Sequence, residues 1–454
     1  MNEGNKRLAR SNTRRGFLKA TAASAIGFPM IIRSQTLGAN APSKRITMGI
    51  IGCGNQAEQD LKQWLPMEDV QIVAVCDVNK ASHGYVRDTQ FLGREPVREM
   101  VEKAYAKRSP SGSFKGCAAY VDFRELLARK DIDTVAIITP DHWHAIQTIQ
   151  AAAAGKDIYC QKPLSLTVRD GQEMIKAVRK YNRVLQTGSQ WRSTTFLNDF
   201  CKAIREGIIG KPRRVVTYVA KNNFAGPGPG WQPMPIPEGF DYDMWLGPAP
   251  KVPYHKDRCL YRFRFGSDYS GGQTTNFGHH AIGVAMWALG LDKTMPEELW
   301  NMGAEFPLKG DLYDTATKVH FGFRYADGLE MECVTSPKSF GVRIEGDKGW
   351  IETNGRKITE SSSPEIAKAV PGTGTADQFT AHYRRFINCV KSRKDPNESV
   401  EIGSRVSNVC HLGNIAMQLD RKVRWDDKNE TIIGDDEAAK MLGRPHRAPW
   451  SYKV

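Results

Sequence analysis

The run Ile46-Thr47-Met48-Gly49-Ile50-Ile51-Gly52-Cys53-Gly54-Asn55-Gln56-Ala57 sets the fold class. A short apolar stretch stops at Gly52, and beyond Ala57 the apolar residues Leu61, Trp64 and Leu65 recur at helical spacing. That order predicts a buried strand, a tight turn and a helix. In the turn, Gly52 permits the sharp reversal, Gly54 lets backbone approach a pyrophosphate, and the small Ala57 lets helix lie close to strand. The turn opens a helix whose N-terminal backbone amides would meet the phosphates. Asp77 lies 25 residues beyond Gly52, at the end of a second apolar run, Val70 to Cys76. An acid there would bind a ribose 2′-hydroxyl and repel a 2′-phosphate, so the dinucleotide expected is NAD, not NADP. The plainer alternative is a glycine-rich turn with Asp77 as a helix cap.

The same rhythm continues downstream. Strands are predicted at Thr134 to Ile138, closed by Thr139-Pro140, at Lys156 to Cys160, before Gln161-Lys162-Pro163, and at Val184 to Thr187. Helices fall between them at Trp143 to Ala154 and after Thr167, whose capping position is supported by Asp170 three residues on. Alternating strands and helices imply a Rossmann-type parallel sheet with helices on both faces over residues 44–187.

Beyond residue 190 the pattern changes. A strand at Val215 to Ala220 precedes a loop with eight prolines between Phe224 and Pro253, too long for an ordinary connection and therefore expected to be functional or interface-forming. A helix follows at Phe277 to Leu289. Val319, Phe321, Phe323 and Tyr325 then alternate, turn at Asp327-Gly328, and run back through Leu329, Met331 and Cys333 with Glu330 and Glu332 outward. A second hairpin pairs Val342 to Glu345 with Trp350 to Thr353, and helices are expected near Gln378 to Val390 and Gly403 to Leu419. Residues 188–454 thus read as an α+β domain on a mostly antiparallel open sheet.

The chain has 454 residues, 40% hydrophobic and 25% charged, which suits a soluble multidomain protein. Its net charge of +14 is concentrated at the start: residues 1–41 hold seven basic residues and one acid. The remainder shows no run of interleaved basic and aromatic residues that would track a phosphate backbone, so nucleic acid is not an expected partner. Thr13-Arg14-Arg15-Gly16-Phe17-Leu18-Lys19 precedes thirteen weakly apolar residues, Ala20 to Ile32, and then Ala39-Asn40-Ala41. This resembles a twin-arginine export signal, implying the twin-arginine machinery as a partner and a periplasmic or cell-envelope location. The apolar stretch falls short of the roughly 20 residues a membrane span needs. Nine scattered cysteines without paired spacing imply no disulfide framework.

Lys162 follows a parallel strand at its carboxyl end, where ligands bind in open α/β sheets, and is placed for acid/base work. The ordered set of the glycine turn, Asp77, Thr139-Pro140-Asp141-x-x-His144, Gln161-Lys162-Pro163, Gly188-x-Gln190-x-Arg192 and Gly271-Gly272-x-x-x-Asn276-x-Gly278-x-His280 resembles the Gfo/Idh/MocA oxidoreductase family. Gly346-Asp-Lys-Gly-Trp350 and the ending Arg447-Ala-Pro-Trp450 resemble its often exported bacterial branch. The resemblance implies NAD held between a Rossmann domain and an open-sheet domain, and a homo-oligomer formed through the open face. It also implies oxidation or reduction of a secondary hydroxyl of a sugar, sugar derivative or inositol. Lys162 and His280 would handle the hydroxyl proton. Gly52, Gly54, Asn55, Asp77, Thr139, Pro140, His144, Gln161 and Lys162 would hold the cofactor, and Gln190, Arg192, Asn276 and His280 would face the carbohydrate.

Three positions depart from the family pattern. Gln161 stands where Glu is usual, Asn276 where Asp is usual four residues before the histidine, and Gly283 where Asp is frequent three residues after it. Removing negative charge should let both Lys162 and His280 ionise at lower pH, or mark a site that has lost turnover. Asn276 alternatively reads as a helix N-cap. Adjacent His279 and His280 diverge on a helix and lack oxygen partners, so no metal is expected. An exported enzyme must keep and regenerate its NAD, which also admits redox-neutral glycoside cleavage. A non-catalytic carbohydrate-binding protein that retains NAD is the reading from outside the enzymes.

Overall fold

The structure, a computed structural model, describes residues 45–454 apart from 337–340 and 374–377. The twin-arginine stretch lies outside the described residues. Two sheets organise the rest. In the first, β1 (Ile46–Ile51), β2 (Val70–Cys76), β3 (Ala118–Tyr120), β4 (Thr134–Ile137), β5 (Asp157–Cys160) and β6 (Leu185–Thr187) are all parallel, in the order β3-β2-β1-β4-β5-β6. Helices α1 (Asn55–Trp64), α2 (Arg94–Ala106), α3 (His144–Ala153) and α4 (Val168–Lys180) cross between the strands. Thr167 caps α4, accepting from the Asp170 amide at 3.1 Å. The short β3 and helix α2 fall where the sequence pattern had suggested no element; β3 is three residues long and only half-buried.

Strand order reverses between β1 and β4, which opens a crevice at the carboxyl ends of the strands. Gly52, Asp77 and Gln161-Lys162 directly follow β1, β2 and β5, and Thr139 lies two residues past β4, so topology alone brings them to one edge.

The second sheet runs β13 (Ile358–Ser361), β12 (Gly349–Thr353), β11 (Gly341–Gly346), β7 (Pro212–Val219), β10 (Glu330–Thr335), β9 (His320–Arg324), β8 (Glu298–Asn301), β14 (Val423–Asp426), β15 (Thr431–Ile432). Only β7 and β10 pair in parallel. Alternation puts Val215, Phe321, Phe323, Met331 and Ile344 on one face, in a core shared with α5 (Thr195–Arg205), α6 (Gly278–Leu289) and α8 (Val400–Leu419). The other face carries ion pairs such as Arg214 with Glu332 and Arg324 with Glu298.

Two late segments return to the first sheet. Helix α7 (Gln378–Ser392) packs Tyr383, Phe386 and Ile387 against Met48, Ile50 and Trp64, and Arg384 pairs with Asp69 at 2.7 Å. Trp450 lies 4.7 Å from Trp143, centroid to centroid. The proline-rich loop has its own aromatic core of Phe240, Tyr242, Trp245, Tyr254 and Tyr269. It is tied to the strand-end edge by Lys80 N donating to Gly239 O (2.8 Å) and Trp143 Nε1 donating to Trp245 O (3.1 Å). Its tail, Tyr261 to Arg264, thereby reaches the crevice.

Candidate active site

A cavity of about 450 Å³ lies along that edge, between the glycine turn at one end and Lys162, Asn276 and His280 at the other. At the cofactor end the geometry is made by backbone. Gly52 has φ +95°, and a Cβ there would sit 2.5 Å from the Ile138 carbonyl oxygen, so the turn requires glycine. Gly54 precedes the first residue of α1, Asn55, and both face the cavity. Asp77 accepts from Cys53 N at 2.6 Å and from Asn79 N at 2.7 Å. Burial pushes its carboxyl upward against the pull of those amides and of Arg94. Each carboxylate oxygen retains a further lone pair, and Asp77 stands on the cavity wall. A turn that requires glycine, helix-start amides and a fixed acceptor on the cavity wall fit a dinucleotide with a free ribose hydroxyl.

At the other end side chains do the work. Lys162 Nζ donates to Asn276 Oδ1 at 2.8 Å and to Asn276 O at 3.0 Å. Asn276 Nδ2 donates to Gln273 Oε1 at 2.9 Å, which turns Oδ1 toward the lysine. With two N–H directions taken by acceptors, a neutral amine keeps its lone pair for a third partner. Burial, and then the nearby Arg264, push the Lys162 pKa down to about 8, opposed by Asp141 and Asp60. Asn276 accepts without adding charge; an aspartate would hold the ammonium form. It closes a short helix, Gly272–Asn276, and caps none, which removes the N-cap reading. His280 stacks on Trp191 at 5.7 Å, and burial, then Lys162, hold it well below the usual histidine range.

The missing glutamate at 161 has a substitute. Gln161 Nε2 donates to Asp60 Oδ2 at 2.8 Å, and Asp60 Oδ1 accepts from Tyr383 OH (2.6 Å) and Gln56 Nε2 (2.7 Å). Burial pushes the Asp60 carboxyl up to about 6 despite those donors. Gly283 has a parallel story: its carbonyl accepts from Arg192 at 2.9 Å, and Arg192 finds its carboxylate in Asp292 at 2.5 Å. The lowered Lys162 therefore owes more to burial and Arg264 than to absent carboxylates.

Eleven of the thirteen expected site residues line the cavity, including Thr139, Pro140 and Gln190. Two stand behind it, against expectation. His144 Nδ1 lies 2.8 Å from Pro163 O and Nε2 2.9 Å from Thr139 O. Two carbonyls need two N–H donors, so the ring is held as an imidazolium. Burial resists this, but Cys160, Asp141 and the Pro163 carbonyl bring its pKa up to about 9. It braces the loops of Thr139 and Pro163 from behind. Arg192 is buried on Gly283 O, Asp292 and Glu398 and is not on this cavity's wall. His279 turns away from His280 to Glu398, at 3.1 Å.

Three residues to which the sequence reading gave no role belong to the site. Asp60 was detectable as an acid in the apolar row Ala57, Leu61, Trp64 of α1. Asp141, buried next to the wall residue Pro140, accepts from Ser270 Oγ at 2.5 Å. Arg264 comes from the proline-rich loop's tail, and no local signal distinguishes it from Arg258 and Arg262.

A Rossmann sheet joined to an open mixed sheet, with Lys162 at the far end of a cavity that begins at the glycine turn, is the arrangement of a two-domain oxidoreductase. The chain belongs to the Gfo/Idh/MocA oxidoreductase family: residues 46–189 match its NAD-binding Rossmann fold and residues 193–452 its C-terminal alpha/beta domain. It is 39% identical over 88 residues to the 1,5-anhydro-D-fructose reductase of Ensifer adhaerens, covering 19% of this chain and 26% of that one. It is 30% identical over 186 residues to an alpha-N-acetylgalactosaminidase of Shewanella oneidensis, covering 37% of each. The matches thus span well under half of these relatives. The WlbA dehydrogenase of Chromobacterium violaceum, solved with NADH and UDP-GlcNAcA, shares the fold at TM-score 0.60 and 18% identity, over 84% of this chain and 96% of that one.

Proposed function

We propose that the protein is an exported NAD-dependent oxidoreductase that acts on a secondary hydroxyl of a sugar, sugar derivative or inositol. The observation that carries this reading is the Lys162 amine, held by two Asn276 oxygens and aimed into the cavity that begins at the glycine turn. NAD, when bound, supplies a hydride acceptor. Gly52, Gly54, Asn55 and Asp77 would hold its phosphates and ribose. Lys162, neutral in part at neutral pH, takes the hydroxyl proton as the carbinol is oxidised and returns it in reduction. His280 is uncharged across this range and orients the hydroxyl while relaying the proton.

The test begins with the purified protein. Denaturation should release NAD, and incubation with a panel of sugars and inositols should yield a keto product with nicotinamide reduction. Release of NADP alone, or no keto product from any panel member, sinks the reading. The similarity to an alpha-N-acetylgalactosaminidase favours a second reading, glycoside cleavage in which hydride leaves and returns. Aglycone release without net nicotinamide reduction would select it. Export is proposed from Arg14-Arg15; changing both to Lys should leave the folded protein in the cytoplasm, and unchanged export would refute it.

A further inference from the structure

We propose that the carbohydrate carries an oxyanion, a carboxylate or a phosphate, that docks on Arg264. The proposal rests on the oxidoreductase reading and names its substrate class. Arg264 lies in the turn Arg262–Phe265 and stands on the cavity wall with Lys162 and His280. Its side chain is pinned: Nε donates to Tyr261 O at 3.1 Å, and the guanidinium lies 3.9 Å from the Tyr261 ring centroid and 5.2 Å from that of Phe263.

The other arginines of this neighbourhood lie off this cavity's wall. Arg262 pairs with Asp257, Arg444 reaches Asp268 at 3.6 Å, and Arg258, which likewise makes no ion pair among the described residues, stacks on Trp231 at 5.1 Å and donates to Tyr269 OH. Arg264 makes no ion pair among the described residues. The carboxylate that influences it, Asp141, is engaged by Ser270.

Two cations, Lys162 and Arg264, thus line one cavity, and Arg264 disfavours charge on the lysine. Such an arrangement is costly unless an anion completes it. A pinned, planar guanidinium suits bidentate capture of a carboxylate or phosphate, and it lies close enough to the base to fix which hydroxyl of an acidic sugar meets Lys162.

The experiment uses the NAD-loaded protein and matched trios in the gluco, galacto and manno series: the methyl glycoside, its uronate and its 6-phosphate. In the series that is turned over, kcat/KM for the uronate or the phosphate should exceed that for the neutral glycoside by about 10- to 100-fold. The larger value identifies the anion. R264Q should collapse that ratio toward one, and R264K, which keeps charge but loses the fork, should leave it intermediate. Equal or better use of the neutral glycoside, with a ratio that R264Q does not change, overturns the proposal while the oxidoreductase reading stands. Absence of turnover for every sugar strikes the oxidoreductase reading instead. Calorimetric binding of the same trios then decides the anion claim, which falls if uronate and phosphate bind no tighter than neutral glycoside.

Discussion

The two ends of the cavity are built by different means. The cofactor end uses backbone: a left-handed glycine at Gly52, and the amides of Cys53 and Asn79 that fix Asp77. Its parts lie within two consecutive strand ends. The lysine end uses side chains from six places: Lys162 and Gln161 after β5, Asp60 on α1, Tyr383 on α7, Asn276 at the end of the short helix Gly272–Asn276, His280 in the first turn of α6, and Arg264 on the loop. Tyr383 and Asp60 are 323 residues apart. Backbone shape is set by neighbours in sequence, whereas a charge network is set only when the whole chain has closed around it.

The largest expected effect separates the two ends. Lys162→Met removes the base but leaves the glycine turn and Asp77 intact, so turnover should fall by roughly 10²- to 10⁴-fold while NAD content is unchanged. Steady-state kinetics and nucleotide release on denaturation check both halves. Undiminished turnover would remove the mechanism, and loss of NAD would show that the two ends are not separable.

The reciprocal change is Gly52→Ala. The left-handed φ costs an alanine about 1 kcal/mol or more, and its methyl would press on the Ile138 carbonyl. NAD affinity should drop at least about tenfold, a deficit that added NAD makes good. The pH at which activity rises should stay where it is, because no group near Lys162 changes. A shifted pH profile would break the distinction between the ends.

These differences explain what could be read in advance. Strand β1, the turn and β2 were legible because apolar runs and glycines carry their own conformational instructions. Lys162 and His280 were legible only through resemblance, since a lysine in a turn is ordinarily solvated. Gln161, Asn276 and Gly283 looked like losses because the sequence shows which carboxylate is missing, but not which one replaces it. Asp60 lies 101 residues from Gln161 and Asp292 lies 100 from Arg192. His144 matched the motif, yet its ring holds two carbonyls behind the wall, a role that depends on where Pro163 ends up. Arg264 was hidden because its significance is the lack of an acidic partner.

The smallest effect tests whether Asp60 truly stands in for the absent glutamate. Lys162 is faced by Asp60 and Asp141, which favour its charged form, and by Arg264 and His280 across the cavity; burial and Arg264 bring it to about 8. The proposed base works as the neutral amine, so activity should rise with pH through that value. Asp60→Asn removes a negative charge, lowers the lysine pKa further and moves the rising limb to lower pH, by less than about one unit given the intervening amide. Gln161→Glu sets a second carboxyl against Asp60, where the amide now donates at 2.8 Å. Two carboxyls at that separation share one proton, and Asp60, already pushed up to about 6, is the ready acceptor. The pair keeps a single negative charge, so the limb in Gln161→Glu should stay within a few tenths of a unit of the parent. An upward shift near a full unit would mean that the introduced carboxyl ionises beside Asp60 and that the family's carboxylate had been missing after all. An unmoved limb in Asp60→Asn would reduce Asp60 to a packing partner of Tyr383.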